Sequence, residues 1–289
     1  MIEIIQALVS GLLSGGVYAL IAVGLTLVFG VMGIVNFAHG ELVMLGMYGV
    51  YMAVKWFNID PYVAMPLVIF EMAIIGFILY RGLIIRVEEK AHSLQILLTL
   101  GLSIVLTNGA MMIWSPNYQT VNSSIANQNL SALGISLSMG WLIAFGCAVL
   151  LTLLIYFVLH RTDLGKMIRA VSQSRDAAAL MGIDARYVYT LAFCLSAISA
   201  GMAGALISNI YYVSPIVGSN FIITAFVIVV LGGMGNFWGA FWGGLIIGIS
   251  ESLASMIISP SLAPVVSYAI FLAVLWLRPQ GLFGTKARV

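Results

Sequence analysis

Nine stretches of the chain are continuous apolar runs: Ile4–Phe29, Leu42–Phe57, Tyr62–Tyr80, Leu94–Trp114, Met139–Leu159, Tyr187–Ser208, Ile222–Met234, Phe237–Ile257 and Val265–Leu277. A helix that crosses a bilayer needs roughly 20 apolar residues. Most of these runs approach or reach that length. They are unbroken rather than alternating, which excludes the two-residue period of a membrane β-barrel. The pattern predicts an all-α, polytopic membrane bundle of eight or nine spans, forming one transmembrane domain over residues 1–289. The run Ile222–Met234 would extend only about 20 Å as a helix. It counts as a crossing only if it is tilted or partly re-entrant among other helices. No basic stretch precedes the first run, so that run is expected to stay in the mature protein rather than act as a cleaved signal.

Two of the interruptions are rich in glycine and resemble each other. Phe29–Gly40 reads FGVMGIVNFAHG and Leu231–Gly244 reads LGGMGNFWGAFWGG. Each contains Gly-x-Met-Gly, followed closely by Asn-Phe and a further glycine. The pair reads as a short internal repeat near the two ends of the chain. A broken helix exposes N–H and C=O groups that hydrocarbon cannot satisfy, so the break must face protein or water. Paired breaks of this kind line the path in many transporters built from repeats. The alternative is that the glycines only let helices pack closely. On the first reading the candidate path residues are Gly33, Asn36, His39, Glu41, Gly235 and Asn236, and a ligand there would meet mainly small and apolar groups. Three further Gly/Ala/Ser-rich stretches, Ser10–Gly16, Ser196–Gly204 and Gly239–Gly248, read as packing surfaces.

Composition sharpens this picture. Of 289 residues, 62% are hydrophobic and only 8% are charged, where a soluble domain carries about a quarter charged residues. A net charge of +2 supplies no basic patch for nucleic acid. The placement of the charges fixes an orientation. Eleven of the twelve basic residues fall in three segments: Arg81, Arg86 and Lys90; Arg161, Lys166, Arg169, Arg175 and Arg186; Arg278, Lys286 and Arg288. The positive-inside bias puts all three in the cytoplasm. The uncharged Ser115–Ser138 loop belongs outside, with the N-terminus.

Polar groups within the apolar runs are few. Glu41, Glu71 and Glu251 should face the bundle interior or an aqueous path, because a carboxylate at mid-bilayer costs about 2.5–3.5 kcal/mol. Thr107 and Asn108 are candidates to meet that interior. His39, His92 and His160 are too scattered for a metal site, and Cys147 and Cys194 are isolated thiols within apolar runs. No hydrolase or zinc-protease motif is present. The Gly165-Lys166 pair lacks the other residues of a phosphate-binding loop, so this chain is not expected to hydrolyse ATP.

The segment His160–Arg186 is the longest charged stretch. Its centre, Ser174–Met181, is rich in helix formers, with Asp176 in the first turn and Gly182 able to end the helix in a left-handed cap. A short helix outside the bilayer with apolar side chains on its surface wants a groove in a partner; the plain alternative is an interfacial loop helix.

Arg175-Asp176-Ala177-Ala178-Ala179-Leu180-Met181-Gly182-Ile183 resembles the coupling loop of ABC importer permeases, as a degenerate form of their E-A-A…G motif. GLTLVFGVMGIVNFAHGELVMLGMY, VVLGGMGNFWGAFWGG and the tail LRPQGLFG are similar to LivH-type permeases of the branched-chain amino acid uptake family. The four motifs agree in order over nearly the whole chain. The resemblance implies one subunit of a bacterial inner-membrane importer. A periplasmic binding protein would deliver the ligand, a homologous second permease would complete the path, and two ATP-binding subunits would carry ATP and magnesium. No cofactor is expected in this chain. Arg175, Asp176, Ala177, Ala178, Leu180 and Gly182, within a cytoplasmic loop spanning 160–186, would contact the ATP-binding subunit. Urea, short amides or other amino acids are alternative substrates, and a self-sufficient proton-coupled transporter is the alternative of a different class.

Overall fold

The computed structural model describes residues 2–123, 125–132 and 135–284. The first five helices are α1 (Ile2–Met32), α2 (His39–Phe57), α3 (Met65–Gly82), α4 (His92–Trp114) and α5 (Met139–Arg161). Two short polar helices follow, α6 (Asp163–Gln173) and α7 (Arg175–Leu180). The last four are α8 (Ala185–Ile207), α9 (Val217–Gly232), α10 (Phe237–Ile257) and α11 (Ala263–Leu277). Each apolar run has become a helix. Six of them, α1, α3, α4, α5, α8 and α10, are long and apolar enough to cross a bilayer. α2 carries His39, Glu41 and Lys55 among its 19 residues. α9 and α11, of 16 and 15 residues, extend about 24 and 22 Å, short of a hydrocarbon core of about 30 Å.

Three details differ from the sequence pattern. α9 begins five residues before Ile222, because the polar Gly218-Ser219-Asn220 stretch is drawn into its first turn. The Ser115–Ser138 connection contains an antiparallel hairpin, β1 (Asn129–Ala132) with β2 (Ile135–Ser138), in which Asn129 pairs with Ser138. α6 is an additional helix within the loop between α5 and α8.

Contacts between connections sort them onto two faces. On one, Gln6 bonds the backbone of Ser136 at 2.6 and 3.0 Å. There Ser123 also donates to Asp60 at 3.0 Å, and Gln119 and Val213 exchange backbone bonds of 2.9 Å. On the other, Arg175 reaches Glu89 and Gly30 abuts Gly235. The second face carries Arg81, Arg86, Lys90, the basic residues of 161–186, and Arg278. Lys55 lies toward the first. Lys286 and Arg288 lie outside the described residues.

α1 is the central element and is buried along most of its length. Its main partner is α10. Gly11 and Gly15 of α1 lie against Gly248 and Gly244 of α10, each pair four residues apart and so on one helix face. A Cβ on Gly11 would stand 2.6 Å from the Ile249 Cα, and one on Gly15 would stand 2.9 Å from the Gly244 carbonyl oxygen. Small residues at this spacing let two backbones touch, where hydrocarbon supplies no hydrophobic drive for association. α4 lies at the periphery and turns Leu97, Ile104, Val105 and Met112 outward.

The two-face arrangement is checked by thiol labelling. In a chain freed of Cys147 and Cys194, a cysteine at Asn122 and one at Ser172, both exposed, are expected to react with an impermeant reagent from opposite sides of the membrane. Reaction from the same side would contradict the arrangement.

Candidate functional site

The first glycine break joins α1 to α2 through residues 33–38. Gly33 adopts φ +68, which turns the chain out of α1 at little steric cost. Asn36 accepts a bond from the Ala38 amide at 3.1 Å through its own side-chain oxygen, a local turn that starts α2. His39 is fully buried and ties three helices together. Its Nε2 lies 2.9 Å from the Ile21 carbonyl of α1 and its Nδ1 lies 3.4 Å from the Ser196 hydroxyl of α8. One turn away, Ser199 donates to the Leu20 carbonyl at 2.6 Å. The Glu41 carboxylate, 2% exposed, accepts from Ser103 at 2.7 Å and Thr107 at 3.0 Å, both on α4. Thr107 therefore does meet the interior. Asn108 does not, and bonds its own helix at Ile104.

The second break joins α9 to α10 through Gly233–Asn236. Gly233 and Gly235 take φ +99 and +84, and Asn236 caps α10 by accepting from the Gly239 amide at 2.9 Å. The end of α9 would leave carbonyls unpaired. The LRPQGLFG tail supplies their partners: Leu282 donates to Leu231 at 2.8 Å and Phe283 to Gly232 at 3.3 Å. Asn236 in turn donates to the Phe283 carbonyl at 2.7 Å. Two motifs far apart in sequence thus form one structural unit.

The breaks meet. The Gly235 backbone lies against Gly30, where a Cβ on Gly30 would be 3.2 Å from the Gly235 Cα. A cavity of about 130 Å³ opens beside them, bounded by Thr26, Gly30 and Gly235 and by Ile168, Arg169 and Ser172 of α6. Of the six path candidates, Gly33 and Gly235 stand at open backbone turns and Asn236 at a helix cap. Asn36, His39 and Glu41 have side chains enclosed by neighbouring helices.

The 160–186 loop contains two helices. Thr162 caps α6, accepting from the Gly165 amide at 3.3 Å, and Arg169 donates to the Leu159 carbonyl at the end of α5. The Lys166 ammonium, 2.9 Å from Asp163, holds that carboxyl below its usual range through a hydrogen bond and its charge. α6 was legible in the apolar spacing Leu164, Ile168, Val171 after a Thr-Asp start. Ser174 caps α7 through the Ala177 amide at 3.3 Å. α7 ends with Gly182 at φ +80, its amide bonding Ala179 and the Ile183 amide bonding Ala178, each at 3.0 Å. This is the paired closure of a left-handed glycine cap.

Around α7 the candidate residues divide. Asp176, Ala177, Leu180 and Gly182 are exposed. Leu180 is 89% exposed, and beside it Met181, which the motif reading did not single out, is 82% exposed. Ala178 and Arg175 turn toward the chain itself. Ala178 is buried, and the Arg175 guanidinium contacts Glu89 at 2.5 Å and Glu88 at 3.8 Å. Glu88 is almost fully buried and also faces Arg186 at 3.6 Å, while Tyr80 donates to its second oxygen at 2.5 Å. The α3–α4 connection is thus the seat of α7. The only sequence signal for this was the opposite sign of Val-Glu-Glu-Lys and the following basic loop.

The family model for the branched-chain amino acid transport system permease component matches residues 7–275. The chain is 32% identical over 298 residues to the high-affinity branched-chain amino acid transport system permease protein LivH of Salmonella typhimurium, covering 97% of this chain and 95% of the relative. It is 29% identical over 293 residues, with the same coverage, to BraD of Pseudomonas aeruginosa, which bears the same description. The LivM permease of Escherichia coli is 28% identical over 251 residues, 76% of this chain and 57% of that protein.

Glu88→Gln removes the charge shared by Arg175 and Arg186. It is expected to speed amide hydrogen exchange over residues 175–182 by about tenfold, equivalent to about 1.4 kcal/mol. Unchanged exchange would mean that the caps and the Arg175–Glu89 contact hold α7 without Glu88.

Proposed function

The chain belongs to the family of branched-chain amino acid transport permeases, and from that premise we propose that it is the membrane-spanning permease of an ATP-driven importer of branched-chain amino acids. It is a multi-pass membrane protein, and on this reading it sits in the bacterial inner membrane. A second, homologous permease completes the path; the likeness to both LivH and LivM supports two related permeases in one importer. A periplasmic binding protein delivers the amino acid. ATP and magnesium are bound by two partner subunits and not by this chain.

The observation that carries the reading is the tip of α7. Leu180 and Met181 are large, apolar and almost wholly exposed, on a helix whose two ends are capped and whose seat is a buried carboxylate facing two arginines. A rigid apolar point outside the bilayer fits a groove in a partner protein. Asp176, Ala177 and Gly182 flank that contact, and Arg175 and Ala178 position it from behind. The two glycine breaks would form the cytoplasmic end of the path. They touch each other, and α6, the neighbour of α7, forms one wall of the cavity beside them. On this assignment Gly33, Asn36, His39, Glu41, Gly235 and Asn236 shape the path, the first and fifth by their open turns and the enclosed three by fixing α2.

The test is affinity purification of this chain in mild detergent with its co-expressed partners, paired with uptake of labelled leucine. ATP-binding subunits should co-purify with the wild type. Leu180→Arg and Met181→Arg should each lower their recovery and leucine uptake by about tenfold, the scale of losing one buried apolar anchor at an interface. Uptake by this chain alone, without ATP, would overturn the reading.

Gly33→Leu and Gly235→Leu are expected to block leucine uptake with co-purification retained. Both positions hold a left-handed backbone that a side chain resists by about 1–2 kcal/mol, and a side chain on Gly235 also adds volume at the cavity between the breaks. Wild-type uptake in both variants would remove these glycines from the path. Loss of assembly in both would assign them to packing.

A further inference from the structure

Three carboxylates lie within apolar helices, and their surroundings differ. Glu41 is closed in by Ser103 and Thr107. Glu71 lies against the Gly49 backbone between α2 and α3. Glu251 instead lines a cavity of about 360 Å³ together with Tyr18, Tyr211, Asn220, Thr224 and Tyr268. A second cavity, of about 340 Å³, shares Tyr18, Tyr211 and Glu251 and continues past Ser10 and Trp141 to Pro260, on the face that carries the N-terminus and the β hairpin. The polar space therefore leads from Glu251 toward the outer side.

Its depth follows from helix geometry. Glu251 precedes the end of α10 by six residues, about 9 Å. Side chains on a helix lean toward its N-terminus. The Glu251 side chain thus leans inward along α10, while that of Tyr18, on the antiparallel α1, leans outward to meet it. They come together within the apolar zone. One Glu251 oxygen accepts from Ser267 of α11 at 3.2 Å. Among the described residues the ion pairs all lie in the connections of the cytoplasmic face, and none involves Glu251. A carboxylate at this depth without a cation, with three phenols, an amide and a hydroxyl around one cavity, is not a lipid-facing surface.

We propose that this cavity is the amino acid's resting place in the membrane, with Glu251 pairing the ammonium group and the phenols and Asn220 holding the carboxylate. The assignment rests on the importer reading above. Phe221 presents the apolar wall for the aliphatic chain. It lies edge-on to Tyr18, with ring centres 6.4 Å apart, and to Tyr211 at 6.2 Å. The cavity volume falls in the range of small-molecule sites, about 300–1,000 Å³. The polar groups select the zwitterion, and the wall selects an uncharged side chain.

The experiment measures ATP-dependent leucine uptake against concentration in the complete importer, for wild type, Glu251→Gln and Glu251→Asp. Gln keeps the shape and the bond to Ser267 but removes the charge. It is expected to lower uptake at sub-saturating leucine by about tenfold or more, with ATP-binding subunits recovered normally. Asp, which keeps the charge, is expected to restore most of it. Wild-type uptake in Glu251→Gln, or a defect in Glu251→Asp as deep as in Gln, would overturn the site and assign Glu251 to helix packing. If Glu251→Gln fails to assemble, a Thr224→Cys chain lacking Cys147 and Cys194 gives a second readout. Leucine should slow its modification by a small thiol reagent, and an equal rate with and without saturating leucine would overturn the site. Absence of leucine uptake in the wild type would instead overturn the importer reading, and the ammonium assignment with it.

Discussion

The backbone contact between α1 and α10 is the constraint from which the rest of the molecule follows. Gly11 and Gly15 meet Gly248 and Gly244 with no side chain between them, so the two helix axes are closer than any pair with ordinary side chains could be. That closeness is maintained along an antiparallel pair, and it therefore determines what lies at each level. At the cytoplasmic end it brings Gly30 to Gly235 and so joins the two glycine breaks. Toward the outer end it lets the side chains of Tyr18 and Glu251 lean into one cavity. Next to Glu251, Ser252 of α10 donates to the Ala7 carbonyl of α1 at 2.7 Å. A larger residue in the seam would displace all three contacts together.

Breaking helices inside an apolar bundle exposes backbone groups, and the chain answers with partners drawn from distant segments. The α9 carbonyls are taken up by the C-terminal tail. The α1–α2 turn is held by His39, which reaches back to a carbonyl of α1 and across to a hydroxyl of α8. The same economy explains why His39 and Glu41 have no room for a ligand at their polar atoms: they hold the turn in place, and the open space lies at Gly33 and Gly235 instead. Polar groups that serve the fold are enclosed, whereas those around Glu251 line a cavity.

Much of this was legible in the chain. Continuous apolar runs located every long helix, the basic residues separated the two faces, and Gly-x-Met-Gly marked both breaks. Gly182 gave the end of α7. What could not be read were relations between segments. Nothing local marks Arg175 as bound for Glu88, or the LRPQGLFG tail for the end of α9, because both depend on which helices become neighbours. Ala178 looked like a surface residue of a docking helix, yet a six-residue helix lying on the protein buries one face, and Ala178 falls on it. Glu251 was visible as a buried acid among three. Only the packing of α1, α9, α10 and α11 separates it from the other two.

The 160–186 loop shows how these local devices combine into one connected unit. α6 is tied to α5 through Arg169 and through Thr162, which donates to the Val158 carbonyl at 2.6 Å. α7 is tied to the α3–α4 connection through Arg175 and Glu88, and through Tyr80 to α3 itself. A short helix with free ends would yield when pushed, since so few residues cannot hold a helix by their own hydrogen bonds. Capped at Ser174 and Gly182 and seated on a buried carboxylate, α7 would instead, on the proposed reading, pass a displacement of Leu180 and Met181 to α3 and, through α6, to α5 and the wall of the cavity at the glycine breaks. On that reading, force applied at α7 would arrive where the two glycine breaks meet and the backbone already turns.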